Sequence, residues 1–473
     1  MKLIPVYTWN KNVLSFNRKS THLSHQPWTQ GVLLLVCVIV AMLLANLPGT
    51  SYYYRAFLET DIQIHMASPN GVVDWHFPRD LTIEKLINDV LMVVFFFTVG
   101  LEIRREVAHG ELSSVKKALL PIIAAFGGVA MPALIYTLVN HGTPAAGGWG
   151  IPTATDIAFA VCILSVLGDR VPVSLKVFLT ALAIADDLIA ILVVAIFYGG
   201  HINLVLLGIS LLVIAVALLL NALGQKHMWP YLVLAFAVWI LFYYSGIHAT
   251  MSGVVMAFLI PSKPRYSRSY VLHKIRSFSG KLISFDRIDD ETAFPNGPQR
   301  HFLRRIHKTA YGSMDMSYRV EHALSPWVNF LIMPIFALAN AGVGIPDMSF
   351  FNIFNTGTAA QGVGLGIFLG LVLGKPVGIT LLSFISIRTG ICTMPEKSDW
   401  AMFFAVACLG GIGFTMSIFV DTLSFADAAT VEAMRNSGKI AILMGSVTAG
   451  ILGTVLIKIV SSVGSKKQQA GAR

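Results

Sequence analysis

Long apolar runs recur along the whole chain and constrain its fold more than any other feature. A helix that crosses a bilayer needs about 20 mostly apolar residues, and about 12 windows of this kind follow one another here. Charged residues make up only 13% of the 473 residues, roughly half the share in soluble proteins. The sequence therefore predicts an all-α polytopic membrane protein with about 12 transmembrane helices. The predicted spans lie near residues 29–47, 86–106, 116–139, 149–167, 173–198, 203–222, 229–244, 246–260, 323–343, 362–386, 400–420 and 439–460.

The apolar windows define one membrane domain with a polar tail at each end. We expect an N-terminal tail at 1–28, a transmembrane domain at 29–460 and a C-terminal tail at 461–473. About 27 polar residues precede the first window, which is too many for the charged region of a signal peptide. The first span is therefore expected to remain as an anchor, and an even number of spans places both tails on one side.

Lys and Arg are distributed unevenly among the connecting loops. Loops 140–148, 199–202 and 344–361 contain neither residue, whereas both tails and the loops of the other set are basic. Because positive residues collect on the cytoplasmic side of a membrane, both termini and the basic loops are predicted to be cytoplasmic. The outer loops at 48–85 and 421–438 fit this rule less well, since they mix acids with bases.

The formal charge of +10 does not indicate a nucleic-acid-binding protein, because no basic domain stands apart from the spans. The four cysteines have no CxxC spacing; they are Cys37, Cys162, Cys392 and Cys408. We interpret them as small buried residues and not as a disulfide framework or a metal site. No cofactor and no enzymatic reaction is predicted.

The first outer loop contains a predicted β-hairpin at 62–77. Apolar and polar residues alternate at 62–66 and again at 73–77, and Asn70-Gly71 lies between them. This pattern is typical of a two-residue hairpin turn. Since an isolated hairpin is marginally stable in water, we expect it to pair with a second copy in a homodimer. Packing on the outer surface of its own chain is the alternative.

The loop at 261–320 is basic, with twelve Lys or Arg and five Asp or Glu. Apolar residues recur at helical spacing near 271–282 and 302–310, with basic residues between them. Basic amphipathic helices of this kind lie on anionic membrane surfaces. The loop is therefore predicted to contact membrane lipids, and a solvated linker is the alternative.

Four ionisable residues lie deep inside predicted spans: Asp156, Asp186, Asp187 and Lys375. A charge at the bilayer centre costs at least about 2.5–3.5 kcal/mol. Residues that are retained despite this cost are the first candidates for function.

Two predicted spans, the fourth and the eleventh, contain signals for an interrupted helix. In the fourth, Pro152 removes a backbone donor shortly before Asp156. In the eleventh, Gly410, Gly411 and Gly413 each disfavour a helix by about 1 kcal/mol. Two interrupted spans, one in each half of a chain, are a good indication of a transporter's binding site.

Asp186 and Asp187 are neighbours on one helix, so their side chains diverge by about 100°. The two carboxylates therefore cannot reach one binding centre equally well. We expect one of them to bind a cation and the other to pair with Lys375. A buried carboxylate either binds a cation or takes up a proton, and a group that alternates between the two couples two gradients. Oxygen ligands favour a hard cation. Sodium or lithium is predicted, and composition does not distinguish them from potassium.

Seven motifs, taken together and in order, resemble those of one known family, the NhaA-type sodium/proton antiporters. They extend from about residue 28 to 460, and 261–318 is the main region without a counterpart. The motifs are Thr155-Asp156, Ala183-Ile-Ala-Asp-Asp187, Gly374-Lys-Pro376, Gly411-Ile-Gly-Phe-Thr-Met-Ser-Ile-Phe419, Phe336-Ala-Leu-Ala-Asn-Ala-Gly342, Val99-Gly-Leu-Glu-Ile-Arg-Arg-Glu106 and Ser245-Gly-Ile-His-Ala-Thr250.

The resemblance implies a fold and an activity. Spans 4 and 11 would be crossed, discontinuous helices within inverted repeats made of spans 3–5 and 10–12. The chain would be an electrogenic antiporter of the bacterial cytoplasmic (inner) membrane. It would expel one Na⁺ or Li⁺ for two protons taken in, and so serve sodium and pH homeostasis.

The resemblance also implies roles for the buried residues. Asp187 would be the main ligand of the Na⁺ or Li⁺ ion, assisted by Asp156 and Thr155. Asp186 would pair with Lys375 in the proton-loaded state, and this pair would break and re-form during transport. Asp156 and Lys375 would also compensate the ends of the half-helices.

A pH-sensing region is implied at the cytoplasmic surface. Its residues would be Glu102, Arg105, Glu106, His248, Glu321 and His322. From the residues alone, an ordinary charged helix end is the alternative. Two departures from the family affect this region: the loop before span 9 is longer than usual, and Ser325 replaces a second histidine near Pro326-Trp327.

Three other functions are compatible with part of this pattern. A sodium-coupled symporter of organic anions on a similar scaffold is the main alternative, although it needs a substrate cavity. An intramembrane aspartyl protease also buries two acids, but its Gly-x-Gly-Asp signature is absent. A passive cation channel is disfavoured, because Lys375 would repel the permeating ion.

Overall fold

The computed structural model describes residues 27–62, 64–67, 74–77, 81–199, 202–225, 227–262, 266–285, 297–345, 359–396, 398–425 and 431–471. The Asn70-Gly71 turn and most of the N-terminal tail lie outside these residues. The α-helices are α1 Pro27–Asn46, α2 Thr50–Leu58, α3 Ile83–Lys85, α4 Met92–His109, α5 Val115–Val139, α6 Ile157–Leu167, α7 Val173–Phe197, α8 Leu204–Ala222, α9 Met228–Ser245, α10 Met251–Leu259, α11 Arg268–Phe285, α12 Gly297–Ser313, α13 Met316–Trp327, α14 Met333–Asn340, α15 Ala359–Leu369, α16 Lys375–Arg388, α17 Trp400–Leu409, α18 Phe414–Ser424 and α19 Val431–Gly471.

Several spans consist of two α-helices that are joined by a π-helical segment or preceded by a 3₁₀-helix. Three π-helical segments, Leu86–Leu91, Val328–Ile332 and Gly370–Gly374, connect α3 to α4, α13 to α14 and α15 to α16. A 3₁₀-helix at Pro144–Thr153 precedes α6, and short 3₁₀ turns lie at Glu111–Ser113 and Gly168–Arg170.

Ten helices in the described part of the chain are long and apolar enough to cross a membrane, and a bent pair adds an eleventh. The prediction of an all-helical polytopic membrane protein is confirmed. The count differs at the eighth predicted span, 246–260. Gly246 takes φ 85° and ends α9, and the turn after it leaves α10 only nine residues. At 1.5 Å per residue, α10 is about 14 Å long and too short to cross alone.

The chain divides into two compact units. The first comprises residues 1–92, 106–200 and 329–473, and the second comprises 93–105 and 201–328. The first unit contains the four buried charges and both interrupted spans. The second contains α8 to α13 around an apolar core that includes Leu101, Tyr231 and Ala257.

The segment at 48–85, predicted to be an outer loop, contains a helix and two strands. Strands β1 Ile64–Ala67 and β2 Asp74–Phe77 pair in antiparallel fashion, with Ile64 opposite Phe77. In α2, the Tyr54 hydroxyl donates to the Leu338 carbonyl at 2.7 Å, and burial raises the pKa of this phenol to about 12. Tyr54 thus remains a hydrogen-bond donor that fixes α2 to the end of α14.

Two predicted loops are shorter than the sequence indicated. The eleventh span was expected to end at 420, with an outer loop at 421–438. Helix α18 continues to Ser424 and α19 begins at Val431, so Asp421 lies inside a helix. The segment at 261–320, predicted to be a cytoplasmic loop, contains α11, α12 and the start of α13.

Backbone contact between α5 and α16 brings the helix that carries Lys375 close to its neighbour. A Cβ atom on Gly127 would overlap the Gly378 carbonyl oxygen, and a Cβ atom on Gly378 would overlap the Gly127 carbonyl oxygen. Small residues allow this kind of close approach between membrane helices. The two glycines therefore set the separation of these helices.

We predict that Gly378→Ala lowers the stability of the protein by about 1–3 kcal/mol, the usual cost of overpacking. The matched control is Gly208→Ala on α8, where nothing lies within 4 Å of an added Cβ; it should be neutral or slightly stabilising, since Ala favours a helix. Thermal unfolding in detergent measures both. Equal melting temperatures for the two variants would contradict the close contact.

Candidate ion-binding site

The first interruption lies between the 3₁₀-helix Pro144–Thr153 and α6. Pro152 is buried within the 3₁₀-helix, and Ala154 and Asp156 take extended backbone conformations. Asp156 caps the N-terminus of α6 by accepting from the Phe159 amide at 3.3 Å. The structure thus places the interruption where Pro152 predicted it.

The second interruption lies between α17 and α18, which meet at an angle of 52°. Residues Gly410 to Gly413 form the bend, as the sequence predicted. Gly411 is required there, because a Cβ atom would overlap the Leu371 carbonyl oxygen. The Phe414 amide at the start of α18 donates to Ser446 of α19 at 3.1 Å.

The two interruptions are connected by hydrogen bonds that involve their backbone groups. The Asp156 amide donates to the Ile412 carbonyl at 2.7 Å, and the Thr155 hydroxyl lies 2.9 Å from the Gly410 carbonyl. An unsatisfied backbone group costs several kcal/mol in the bilayer core. These hydrogen bonds therefore make both interruptions possible. Crossing of the two helices at this point remains a prediction.

Asp156 lies at the N-termini of two helices. Its Oδ2 atom accepts from the Thr415 amide at 3.1 Å and from the Thr415 hydroxyl, in addition to the bond from Phe159. Both helix N-termini carry partial positive charge, which stabilises an anion. No role is predicted for Thr415 from the sequence, because Thr415 and Asp156 are 259 residues apart. In this structure Asp156 joins helices, and its role as an ion ligand remains a prediction.

Asp186 and Lys375 form a buried ion pair. The Lys375 Nζ atom lies 2.6 Å from Asp186 Oδ2, and the Lys375 side chain is fully buried. Thr155 contacts both: its hydroxyl lies 2.6 Å from Asp186 Oδ2 and accepts a hydrogen bond from Lys375. The structure thus places Thr155 beside the ion pair and the first interruption, where it links the pair to the Gly410 carbonyl.

Asp187 follows Asp186 on α7 and is 2% exposed. It acts electrostatically on Lys375 together with Asp186. No group of three His, Cys, Asp or Glu side chains in the described ranges has the arrangement of a metal centre. The carboxylate of Asp187 and the hydroxyl of Thr155 supply oxygen atoms, which are hard ligands.

The charged residues assigned to pH sensing are only partly brought together. Arg105 lies 3.8 Å from Glu102 and donates to the buried Glu321. His322 is exposed and stacks on Tyr318. Neighbouring Arg104 donates to the carbonyls of Ala257 and Ile260, a capping role at the end of α10 that the sequence did not predict.

Glu106 directly follows Arg105 on α4 and packs beside Gly110. His248 is half-buried in the turn between α9 and α10, and its carbonyl accepts from the Met251 amide at 3.0 Å.

The family model for Na⁺/H⁺ antiporter 1 matches residues 21–457. The chain belongs to this family. It is 41% identical over 435 residues to the Na(+)/H(+) antiporter NhaA of Oleidesulfovibrio alaskensis, with 91% of each chain covered. It is 40% identical over 438 residues to the NhaA of Sulfurimonas denitrificans, covering 92% of this chain and 94% of that one. Identity to the NhaA of Porphyromonas gingivalis is 36% over 460 residues, covering 97% and 99%.

These matches confirm the family that the seven motifs predicted. The matched range contains both interruptions and all four buried charges. The relatives are named as transporters and not as enzymes.

We predict that Lys375→Met lowers stability by about 3–5 kcal/mol, because it leaves Asp186 buried without its counter-charge. The double variant Asp186→Asn/Lys375→Met removes both charges and should recover most of this loss. Lys458→Met, at an exposed lysine of α19, is the matched control. Thermal unfolding compares the four proteins. A double variant no more stable than Lys375→Met would show that the pair is not the source of the effect.

Proposed function

We propose that this protein is an electrogenic, pH-regulated antiporter that expels Na⁺ or Li⁺ in exchange for about two protons. The observation that carries the proposal is the buried pair of Asp186 and Lys375, joined through Thr155 to the bend at Gly410. The family and the names of the relatives support the exchange of Na⁺ and H⁺. Sodium and pH homeostasis would be its physiological role.

Each buried charged residue has its own role in the exchange. Asp187 binds the cation and releases a proton when it does so, since a carboxylate at this depth needs one or the other. Asp186 and Lys375 hold each other in the proton-loaded state, and Lys375 compensates the charge. Because Thr155 contacts the pair and the bend, separation of the pair alters the contacts of Gly410. Ion binding is thereby linked to the geometry of the interrupted helices.

Exchange of two protons for one cation moves one net charge inward in each cycle. A membrane potential then contributes about 2.3 kcal/mol per 100 mV to the expulsion of the cation. We propose that the protein lies in the bacterial cytoplasmic (inner) membrane with both termini in the cytoplasm. The uneven distribution of Lys and Arg supports this placement, as do the bacterial relatives.

Regulation by pH is assigned to the cluster of Glu102, Arg105 and Glu321. Protonation of either acid would weaken its ion pair with Arg105. Ser325, which stands where relatives of this type carry a histidine, donates to the Glu321 carbonyl at 2.7 Å and does not titrate. We therefore infer a pH profile that differs from that of relatives with two histidines there.

Membrane lipids are proposed partners of α11 and α12. Leu272 and Ile275 of α11 and Leu303 of α12 are exposed apolar residues among basic neighbours. This combination supports binding at an anionic membrane surface. The cytoplasmic side, on which this loop is proposed to lie, carries the anionic lipids.

The function is tested in proteoliposomes with a proton dye and a potential dye recorded together. Added Na⁺ or Li⁺ should release protons from the lumen and generate a potential. Proton release without a potential would leave an antiporter but remove the charge-compensating role of Lys375. No proton release between pH 6 and 9, together with sodium-driven uptake of an organic anion, would favour the symporter.

We predict that Asp187→Asn abolishes the sodium-dependent proton signal, because the amide neither carries the proton nor balances the charge of the cation. Asp399→Asn, at an exposed position, is the control and should retain the signal. Initial rates are measured at equal protein content in the vesicles. Sodium-dependent exchange by Asp187→Asn would exclude this residue as the main ligand.

We propose a homodimer held by the hairpin at 62–77, and predict that deletion of 64–76 makes the protein monomeric while transport is retained. The physical reason is that two strands alone are marginally stable and gain from pairing with a second hairpin. Mass measurement in detergent and cross-linking in vesicles report the oligomeric state. The control replaces the segment with a Gly/Ser linker of equal length. A dimer that survives both changes would assign the hairpin to its own outer surface.

A further inference from the structure

Asp421 is a buried acid that the proposed transport cycle does not use. It lies on α18, seven residues after Phe414, and is fully buried. Neither of its carboxylate oxygens has a hydrogen-bond partner among the described residues. A buried carboxylate of this kind requires compensation, so the surroundings of Asp421 determine what it can bind.

The carboxylate fits against the backbone of α19 at Gly438. A Cβ atom on Gly438 would overlap Asp421 Oδ1, so any other residue there would displace the carboxylate. One turn earlier on α18, the Ser417 hydroxyl is also buried and has no partner in the part of the chain described. Residues four apart share a helix face, and Ser417 and Asp421 therefore form a polar stripe that leads towards Gly413 at the bend between α17 and α18.

Charged and titratable groups face Asp421 from three directions. Arg435 and Lys439 lie on α19, Tyr136 on α5, and Tyr198 follows α7. The Arg435 Nη2 atom donates to the carbonyls of Thr422 and Phe425 at 2.8 and 3.1 Å, whereas its Nε atom has no partner among the described residues. The half-buried Lys439 is the counter-charge that acts on Asp421, and Glu84 of α3 acts on Lys439 in turn.

These neighbours favour a proton over a metal ion as the ligand of Asp421. An alkali cation would add a third positive charge beside Arg435 and Lys439. Besides the carboxylate, the Ser417 hydroxyl would supply only one further oxygen that has no hydrogen-bond partner among the described residues. A proton needs no additional ligand and neutralises the carboxylate directly. Burial disfavours the carboxylate while the two cations stabilise it, and these opposed effects allow a group to both gain and lose a proton.

We propose that Asp421 is a second proton-exchange site in the extracytoplasmic half of α18, about 10 Å along the helix from its first residue. One carboxylate oxygen forms an O–H bond with a proton that arrives from outside. When this bond breaks, the Ser417 hydroxyl accepts the proton and releases its own towards the interruption, and the carboxylate is restored beside Lys439. This inference rests on the proposed antiport, because it supplies the protons that the antiporter takes in.

The direct test is infrared difference spectroscopy of the reconstituted protein, titrated between about pH 5 and 9 without sodium. The wild type should show the C=O band of a protonated buried carboxyl, and Asp421→Asn should lose one such band. Asp169→Asn, at an exposed turn, should keep it. Lys439→Met should move the midpoint of this band up by about one pH unit, since a nearby positive charge is removed.

The transport test uses the same variants in vesicles of known sidedness. Asp421→Asn should slow sodium-driven exchange most at high external pH, at which protons outside are scarce, whereas changes in internal pH should affect it as in the wild type. The spectroscopic band is measured whether or not sodium evokes transport, so failure of antiport and failure of the proton site are distinguishable. An identical carboxyl spectrum in Asp421→Asn, or an insensitivity of the band to Lys439→Met, would overturn the proposal.

Discussion

The mutual hydrogen bonding of the two helix interruptions is the interaction on which the rest of the structure depends. Backbone groups freed from a helix in a bilayer core must find partners inside the protein. Here the amide of Asp156 meets the carbonyl of Ile412, and the Asp156 carboxylate accepts from Thr415 and Phe159. Neither interruption would be stable without the other. One carboxylate at two helix N-termini also replaces two separate counter-charges.

The ion pair of Asp186 and Lys375 is connected to this junction of the two interruptions. Thr155, the neighbour of Asp156, is held by the Gly410 carbonyl and contacts both Asp186 and Lys375. Lys375 is brought there by α16, whose approach to α5 requires Gly378. A change in the charge of the pair therefore acts on the contacts of the bend. The chemistry of ion exchange and the conformation of the interrupted helices share one set of atoms.

The sequence predicted the parts of the site that depend on local chemistry. Buried charges, Pro152 and the glycines at 410–413 are visible because each violates the rule for an apolar helix. The pairing of Asp156 with Thr415 was not visible, because it joins residues 259 positions apart. Asp421 was placed in a loop since hydropathy averages over a window and ends a span at the first charge. Only the folded chain shows that α18 continues past it.

Two carboxylates associated with α18 illustrate how position on a helix decides the behaviour of an acid. Asp156 receives backbone and hydroxyl donors at the N-terminus of α18, where the helix dipole stabilises negative charge. Asp421 lies in the last turns, where the dipole opposes negative charge and no donor in the described structure reaches it. Its charge therefore depends on Lys439 of the next helix. The first acid is fixed by its surroundings and suits a structural joint, whereas the second is balanced between opposing effects and suits proton exchange.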